Sequence, residues 1–225
     1  MARQKILVIG AGGQLGSELT QGLWKLHGKA NVIATDIKGP EGILGDGDFE
    51  ILDVLNLKSK SYLLLTMHRA ENTRSRDFFT QLLETFEVLK DNIIVFPIHP
   101  RTKKMFETFG LLDRLLNCSN VKTLLPVGYI DFIALLQNSL KVVTDSGGVQ
   151  KEAYLLRVPC ITMRKNTEWI ETIKGQWNVL TGVDSKKIVK AVRRPSPIFK
   201  YSKSVFGSGR TSQVISDLIS SIISH

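Results

Sequence analysis

A rhythm constrains this chain more than any single residue does: short β-branched or apolar runs alternate with amphipathic stretches of helical period. The runs at residues 5–9, 31–35, 49–53, 62–66, 93–96, 121–125, 141–144, 159–163 and 178–180 read as strands. Between them Phe78, Phe79, Leu82, Leu83, Phe86 and Leu89 recur at helical spacing, as do Ile188, Val189 and Val192, and Val214, Ile215, Leu218 and Ile222. These spacings predict buried helix faces. Strand and helix in alternation predict an α/β protein with Rossmann-like layers around parallel sheets. A chain of 225 residues, 43% of them apolar, has the material for one large domain of this kind or two small ones.

One junction breaks the rhythm. A strand ending near Asp53 is followed by only residues 54–61 before the next begins. Parallel neighbours need a crossover of about a dozen residues, so the two strands are expected in different sheets, with 55–60 as a linker. The expected division is 1–58 and 59–225. Charge changes at the same place: residues 1–58 hold 6 Lys/Arg and 7 Asp/Glu, and the remainder holds 24 and 14. The basic part carries no Arg/Lys stripe interleaved with aromatics. It therefore suits a phosphate-bearing small molecule better than a nucleic acid. A piece of 58 residues is marginal alone and is expected to lean on the rest of the chain or on a second copy, giving a homo-oligomer.

No apolar run approaches the roughly 18 residues needed to cross a bilayer, and the first residues enter a strand pattern directly. No membrane association and a cytoplasmic location are expected. The two cysteines, Cys118 and Cys160, match no metal spacing and are too few for a disulfide framework, which fits a reducing compartment.

In the first segment, KILVIGAGGQLGSEL places Gly10, Gly13 and Gly16 between a strand and a helix. Glycines there let the backbone approach a pyrophosphate and let helix and strand pack closely, while the helix start faces the charge. Asp36 ends the next strand, where a carboxylate accepts from an adenosine ribose and repels a 2′-phosphate. NAD is the cofactor such a cradle takes. A glycine-rich turn kept only for packing is the alternative. The segment resembles the start of extended short-chain dehydrogenases/reductases, particularly NAD-dependent nucleotide-sugar epimerases and L-threonine 3-dehydrogenase. In that family the third strand, here FEILDVLN, brings an Asp such as Asp53 towards the adenine. The family's Tyr-x-x-x-Lys is absent: none of Tyr62, Tyr129, Tyr154 and Tyr201 has Lys four residues on. Hydride transfer is not expected of this chain alone.

From residue 61 the pattern changes. The strand 141–144 runs into Asp145-Ser146-Gly147-Gly148 and then a helical stretch. Small residues at such a turn make an anion cradle, with the Ser146 hydroxyl and the N–H groups of Gly147 and Gly148 as donors to a diphosphate. Glu152 falls about one helical turn further in, placed for ribose hydroxyls. His68, His99 and Arg101 follow the ends of other strands, and those ends form the ligand-binding rim of a parallel sheet. Each also has a plainer reading: Glu152 as a solvated helix acid, His68 as a helix cap, Arg101 as a surface cation.

The series HRAEN, HPR, GY-x-x-F, TDSGG-x-Q-x-E, TEW-x-E and G-x-G-x-x-S runs in that order through residues 61–225, about three-quarters of the chain. It looks like the carboxy-terminal domain of the non-hydrolysing UDP-N-acetylglucosamine 2-epimerases. That resemblance implies a domain of glycosyltransferase-B type that binds UDP-N-acetylglucosamine, here with a partial Rossmann βαβ unit in front. It assigns Phe132 to the uracil, Ser146 and Gly147 to the diphosphate, Glu152 to the ribose and His68 to catalysis. The implied isomerase chemistry removes the C2 proton, eliminates UDP to leave a 2-acetamidoglucal, and re-adds UDP to give the C2 epimer, with no nicotinamide or metal. Lys151 departs from a position that is often acidic in the family. In place of the family's amino-terminal domain stands the dehydrogenase-like half, and none of its acids sits in a general-base motif. The final helix, packed on that domain in the family, needs another partner here.

Three readings follow. The first is a 2-epimerase-type enzyme whose site is completed by another subunit or by the amino-terminal half. The second is a nucleotide-binding fusion without turnover, the expected state of the isolated chain. The third is an NAD-dependent nucleotide-sugar epimerase or dehydrogenase.

Overall fold

The computed structural model describes residues 6–9, 14–35, 51–197, 205–206 and 210–223. In chain order the elements begin with β1 (Ile6–Ile9), α1 (Gln14–His27), a 3-10 turn (Lys29–Asn31), β2 (Val32–Thr35) and α2 (Ile51–Val54). There follow β3 (Tyr62–Thr66), α3 (Arg76–Val88), β4 (Ile93–Pro97), α4 (Pro100–Thr108), α5 (Leu112–Leu116), β5 (Val121–Leu124) and α6 (Tyr129–Asn138). The chain continues with β6 (Lys141–Thr144), α7 (Gly147–Leu155), β7 (Cys160–Thr162), a second 3-10 segment (Ile170–Gln176), β8 (Asn178–Leu180), α8 (Ser185–Arg193) and α9 (Thr211–Ile223). Contacts divide these elements into two units, one with β1, α1, β2 and α9, the other with α2 through α8 save the first two residues of α6.

The larger unit is built on six parallel strands in the order β5-β4-β3-β6-β7-β8. The chain therefore works outward from β3 to β5, returns beside β3 as β6, and works outward again to β8. Such a sheet is covered on both faces, and its strands are near-continuous apolar runs for that reason. Side-chain alternation sorts them. Leu63, Leu65, Ile94, Phe96, Val143 and Ile161 face a core made with α3, α4, α5 and α8, where Phe79 meets Phe106 edge-on with centroids 4.4 Å apart. Tyr62, Leu64, Val95, Val142 and Cys160 face the opposite core, made with α6 and α7. All six apolar positions read on α3 and its C-cap, Phe78 to Leu89, are buried.

The stretch expected as a third strand at 49–53 forms helix α2 over its described residues. Ile51, Leu52, Leu55 and Leu57 pack against the second core while Asp53 and Val54 are exposed. The helix ends on Asn56 at φ 52°, with Leu57 N–H donating to Leu52 C=O at 2.8 Å and Asn56 N–H to Asp53 C=O at 3.0 Å. This pair of bonds is a left-handed C-terminal cap, sealed by the contact of residues 52 and 57 with one core. Residues 55 and 57 are thus core contributors, and Asp53 is carried on a helix of the larger unit.

In the smaller unit β1 and β2 pair in parallel, in register from Ile6 with Val32 to Ile9 with Thr35. Val8, Leu23 and Val32 form its core, with Ile219 of α9 packed against them. The final helix thus finds its partner in α1. Gly22 lets the two approach, since a Cβ there would lie 2.9 Å from Ser216 Oγ. His27 Nε2 also bonds Ser220 Oγ at 2.8 Å. The α9 stripe expected to be buried divides, because Ile215 is half-buried while Val214, Leu218 and Ile222 are exposed. Among the described residues no helix is long and apolar enough to cross a membrane.

Candidate functional site

The order of the strands locates the site. Where successive strands leave in opposite directions, here between β3 and β6, the loops after them diverge and open a crevice at the carboxyl ends of the strands. A cavity of about 220 Å³ lies there, lined by Thr66, Met67 and His68 after β3, Pro97 and His99 after β4, and Pro126 and Val127 after β5. Phe132 of α6, with Ser146 and Val149 of the β6–α7 turn, completes the lining. A larger cavity of about 670 Å³ between β8 and α8 contains none of the residues singled out in the sequence.

Asp145 organises the crevice. It is fully buried at the end of β6, and a buried carboxylate persists only where donors surround it. Its oxygens accept from His68 N–H at 3.2 Å, Arg69 N–H at 2.9 Å and Asn72 Nδ2 at 3.2 Å. His68 Nδ1 lies 3.6 Å from Asp145 Oδ1, with the ring about half exposed to the cavity. Beneath it, Thr66 and Thr144 hydroxyls bond at 2.6 Å, and Thr144 Oγ1 accepts from Ser146 N–H at 3.0 Å. The β3 turn and the β6 turn are thus fixed to one another by side chains of the crevice itself. Asp145 is the residue that reading the sequence for function passed over. Its signal was there: a carboxylate between an apolar strand and Ser-Gly-Gly has no solvent to turn to.

Ser146 is the N-cap of α7, and Gly147 and Gly148 form its first turn. The first N–H groups of a helix have no partner within it and carry the positive end of its dipole, so this turn presents donors at the crevice. Glu152 is half-buried one turn further along and does not line the cavity. His99 caps α4, its Nδ1 accepting from Arg101 N–H at 3.2 Å, and its ring centroid is 5.9 Å from that of His68. Arg101 is exposed and stands outside the cavity lining. Phe132 packs against the second core and presents an aromatic wall beside Val127.

Beside the α7 start sits Glu168, bonded to Arg164 Nη1 at 2.8 Å and to Arg69 Nη2 at 3.5 Å. The hydrogen bond from Arg164 is the main reason its carboxyl is held down at about 2, with the charge of Arg69 adding to it. Behind it a buried network fixes the segment: Thr167 Oγ1 donates to Gln150 Oε1 at 2.5 Å, and Asn178 Nδ2 donates to the same oxygen at 3.0 Å. Among the described residues no group of three or more His, Cys, Asp or Glu is placed to hold a metal ion.

The crevice therefore gathers His68, His99, Phe132 and Ser146, with Gly147 and Gly148 next to Ser146 but outside the cavity lining. Gly16 lies in α1, in the smaller unit, whereas Gly10, Gly13 and Asp36 fall outside the described residues.

Residues 45–220 match the family model described as UDP-N-acetylglucosamine 2-epimerase. A UDP-N-acetylglucosamine 2-epimerase homolog of Methanococcus maripaludis is 42% identical over 172 residues, covering 76% of this chain and 48% of that protein. The UDP-2,3-diacetamido-2,3-dideoxy-D-glucuronate 2-epimerase of Pseudomonas aeruginosa is 37% identical over 164 residues, covering 72% of this chain and 45% of that protein. Among solved structures, Methanocaldococcus jannaschii UDP-GlcNAc 2-epimerase in complex with UDP-GlcNAc and UDP superposes with a TM-score of 0.69 at 37% identity, covering 78% of this chain and 49% of that one. The chain spans about half the length of the relatives it matches.

Proposed function

Because the chain belongs to the UDP-N-acetylglucosamine 2-epimerase family, we propose that its larger unit binds the UDP of a UDP-sugar in the crevice between β3 and β6. The observation that carries this is the α7 start, where Ser146 at the N-cap position lines the same cavity as His68 and Phe132 and is followed by Gly147 and Gly148 in the first turn. In this reading Phe132 lies against the uracil, the Ser146 hydroxyl and the N–H groups of Gly147 and Gly148 hold the diphosphate, and Glu152 accepts from the ribose. His99 and Arg101 line the approach on the β4 side. UDP is the part shared by the substrates named for two relatives whose sugars differ, and this supports reading the domain as a UDP binder.

In this reading His68 donates to the diphosphate oxygen that departs when the C1–O bond breaks, and the contacts of Asp145 with its backbone N–H and its ring support that role. Donors aimed at developing negative charge are the usual source of such stabilisation. Removing the C2 proton needs a positioned base. In this proposal the base comes from outside this chain, so the chain alone binds a UDP-sugar without turning it over. Loss of a proton with departure of UDP, followed by the reverse steps on the other face, leaves no net oxidation, so a nicotinamide has no part in it.

Calorimetric titration of the chain with UDP, and separately with NAD, tests the proposal. Saturable heat with UDP is the expected result, and its absence overturns the reading. Saturable heat with NAD alone would move the function to the amino-terminal glycine motif.

A further inference from the structure

Glu168 is a carboxylate at the mouth of the proposed phosphate cradle. Its Oε2 lies 3.3 Å from where a Cβ on residue 147 would sit, so it borders the first turn of α7 directly. It is tied to two guanidinium groups that both belong to this rim. Arg164 is the better buried, its side chain 11% exposed, and Arg69 is anchored through its own N–H to Asp145 at 2.9 Å. The backbone behind Glu168 is held as well, with Trp169 N–H donating to Thr167 Oγ1 at 3.0 Å and Thr167 in turn bonded to Gln150. The Glu168 side chain is 51% exposed, so rotation about its own bonds can carry the carboxylate into water.

A diphosphate held by Ser146, Gly147 and Gly148 brings at least two negative charges close to this carboxylate. Two like charges at contact distance repel, and arginines pair with phosphate oxygens through the same paired donors they offer a carboxylate. We infer that Glu168 is a resident counter-ion of the cradle: it pairs Arg69 and Arg164 and yields both to the phosphates when a nucleotide diphosphate arrives. The exchange leaves neither guanidinium unpaired, which matters most for Arg164, and it sets a cost on phosphate binding that a ligand without phosphate does not meet. This inference rests on the diphosphate reading above.

The test is calorimetric titration of the wild-type chain, Glu168→Gln and Glu168→Ala with UDP and with uridine, each protein first checked for an unchanged circular dichroism spectrum and melting temperature. Removing an exposed competing charge is worth about a fivefold gain in affinity, and this gain is expected for UDP in both variants. Uridine, which has no phosphate to compete, is expected to bind all three proteins alike. Equal or weaker UDP binding by the variants while the wild type binds UDP overturns the counter-ion role and leaves the UDP site standing. A gain for uridine as large as that for UDP also overturns it, since the effect would not depend on phosphate. Failure of the wild type to bind UDP removes the proposed function and this inference with it.

Discussion

Gly147 is fixed by what surrounds it. A side chain there would press on the Glu168 carboxylate and would stand over the N–H groups that open α7. Gly147→Val is therefore expected to abolish UDP binding in calorimetry while the melting temperature stays within a few degrees, because the added methyls face the rim and leave the core intact. Lys141 poses the opposite problem, an ammonium buried at the start of β6. It donates to the carbonyls of Ala191 at 3.0 Å, Val192 at 2.7 Å and Arg194, the last turn of α8. Burial brings it down to about 8, with the charge of Arg194 adding to the effect. Between about 8 and its ordinary value the unfolded chain holds a proton that the native chain does not, so native stability gains as pH rises through that window, by about 1 kcal/mol per pH unit. The difference in unfolding free energy between the wild type and Lys141→Met, from urea titrations at pH 8 and pH 9, is expected to widen by that amount. A constant difference would place the proton on Lys141 throughout.

Helix ends and helix faces test the fold at the next scale. Helix α4 closes on Gly110 at φ 65°, with Leu111 N–H returning to Phe106 C=O at 2.8 Å and no atom within 4 Å of the missing Cβ. Gly110→Ala is expected to cost about 1 kcal/mol, all of it from the backbone, read as a lowered urea midpoint with an unchanged slope. On α1, Gly22→Val is expected to push α9 away and raise the amide exchange of residues 211–223 while the six-stranded sheet keeps its protection. How much of this was legible depends on the element. The strands of the larger unit were readable because double-sided burial demands unbroken apolar runs such as YLLL and KVV. Helix α2 was not, since five residues with apolar 51, 52 and 55 satisfy a short strand and a single helical turn equally, and only the core behind them decides. The spacing on α9 identified a helix, but which stripe faces inward depends on α1, nearly the whole chain away. In the crevice, Ser146, Gly147 and His68 were visible as motif residues. Glu168 meets Arg164 four residues before it, a local spacing, but Asp145 owes its donors, and Glu168 its second guanidinium, to the segment after β3, and no spacing along the sequence encodes those meetings.

For the molecule as a whole, UDP is expected to raise the unfolding free energy in proportion to its occupancy, by about 2.7 kcal/mol at a hundred times its dissociation constant, measured as a shift in thermal midpoint. With UDP-N-acetylglucosamine the isolated chain is expected to bind without turnover, and proton NMR is expected to show no C2 epimer over hours. Appearance of the epimer would show that the base lies within this chain. Helices α1 and α9 meet through His27 and Ser220, 193 positions apart. Closing a loop of that length costs about 5 kcal/mol of chain entropy beyond a constant, against a small core of Val8, Leu23 and Val32 with Ile219 packed on it. Such a clasp is not expected to form ahead of the six-stranded sheet, whose residues lie between its two halves in sequence. It is expected to be the last contact made in folding and the first lost on warming, so that amide exchange in α1 and α9 rises before exchange in the six-stranded sheet.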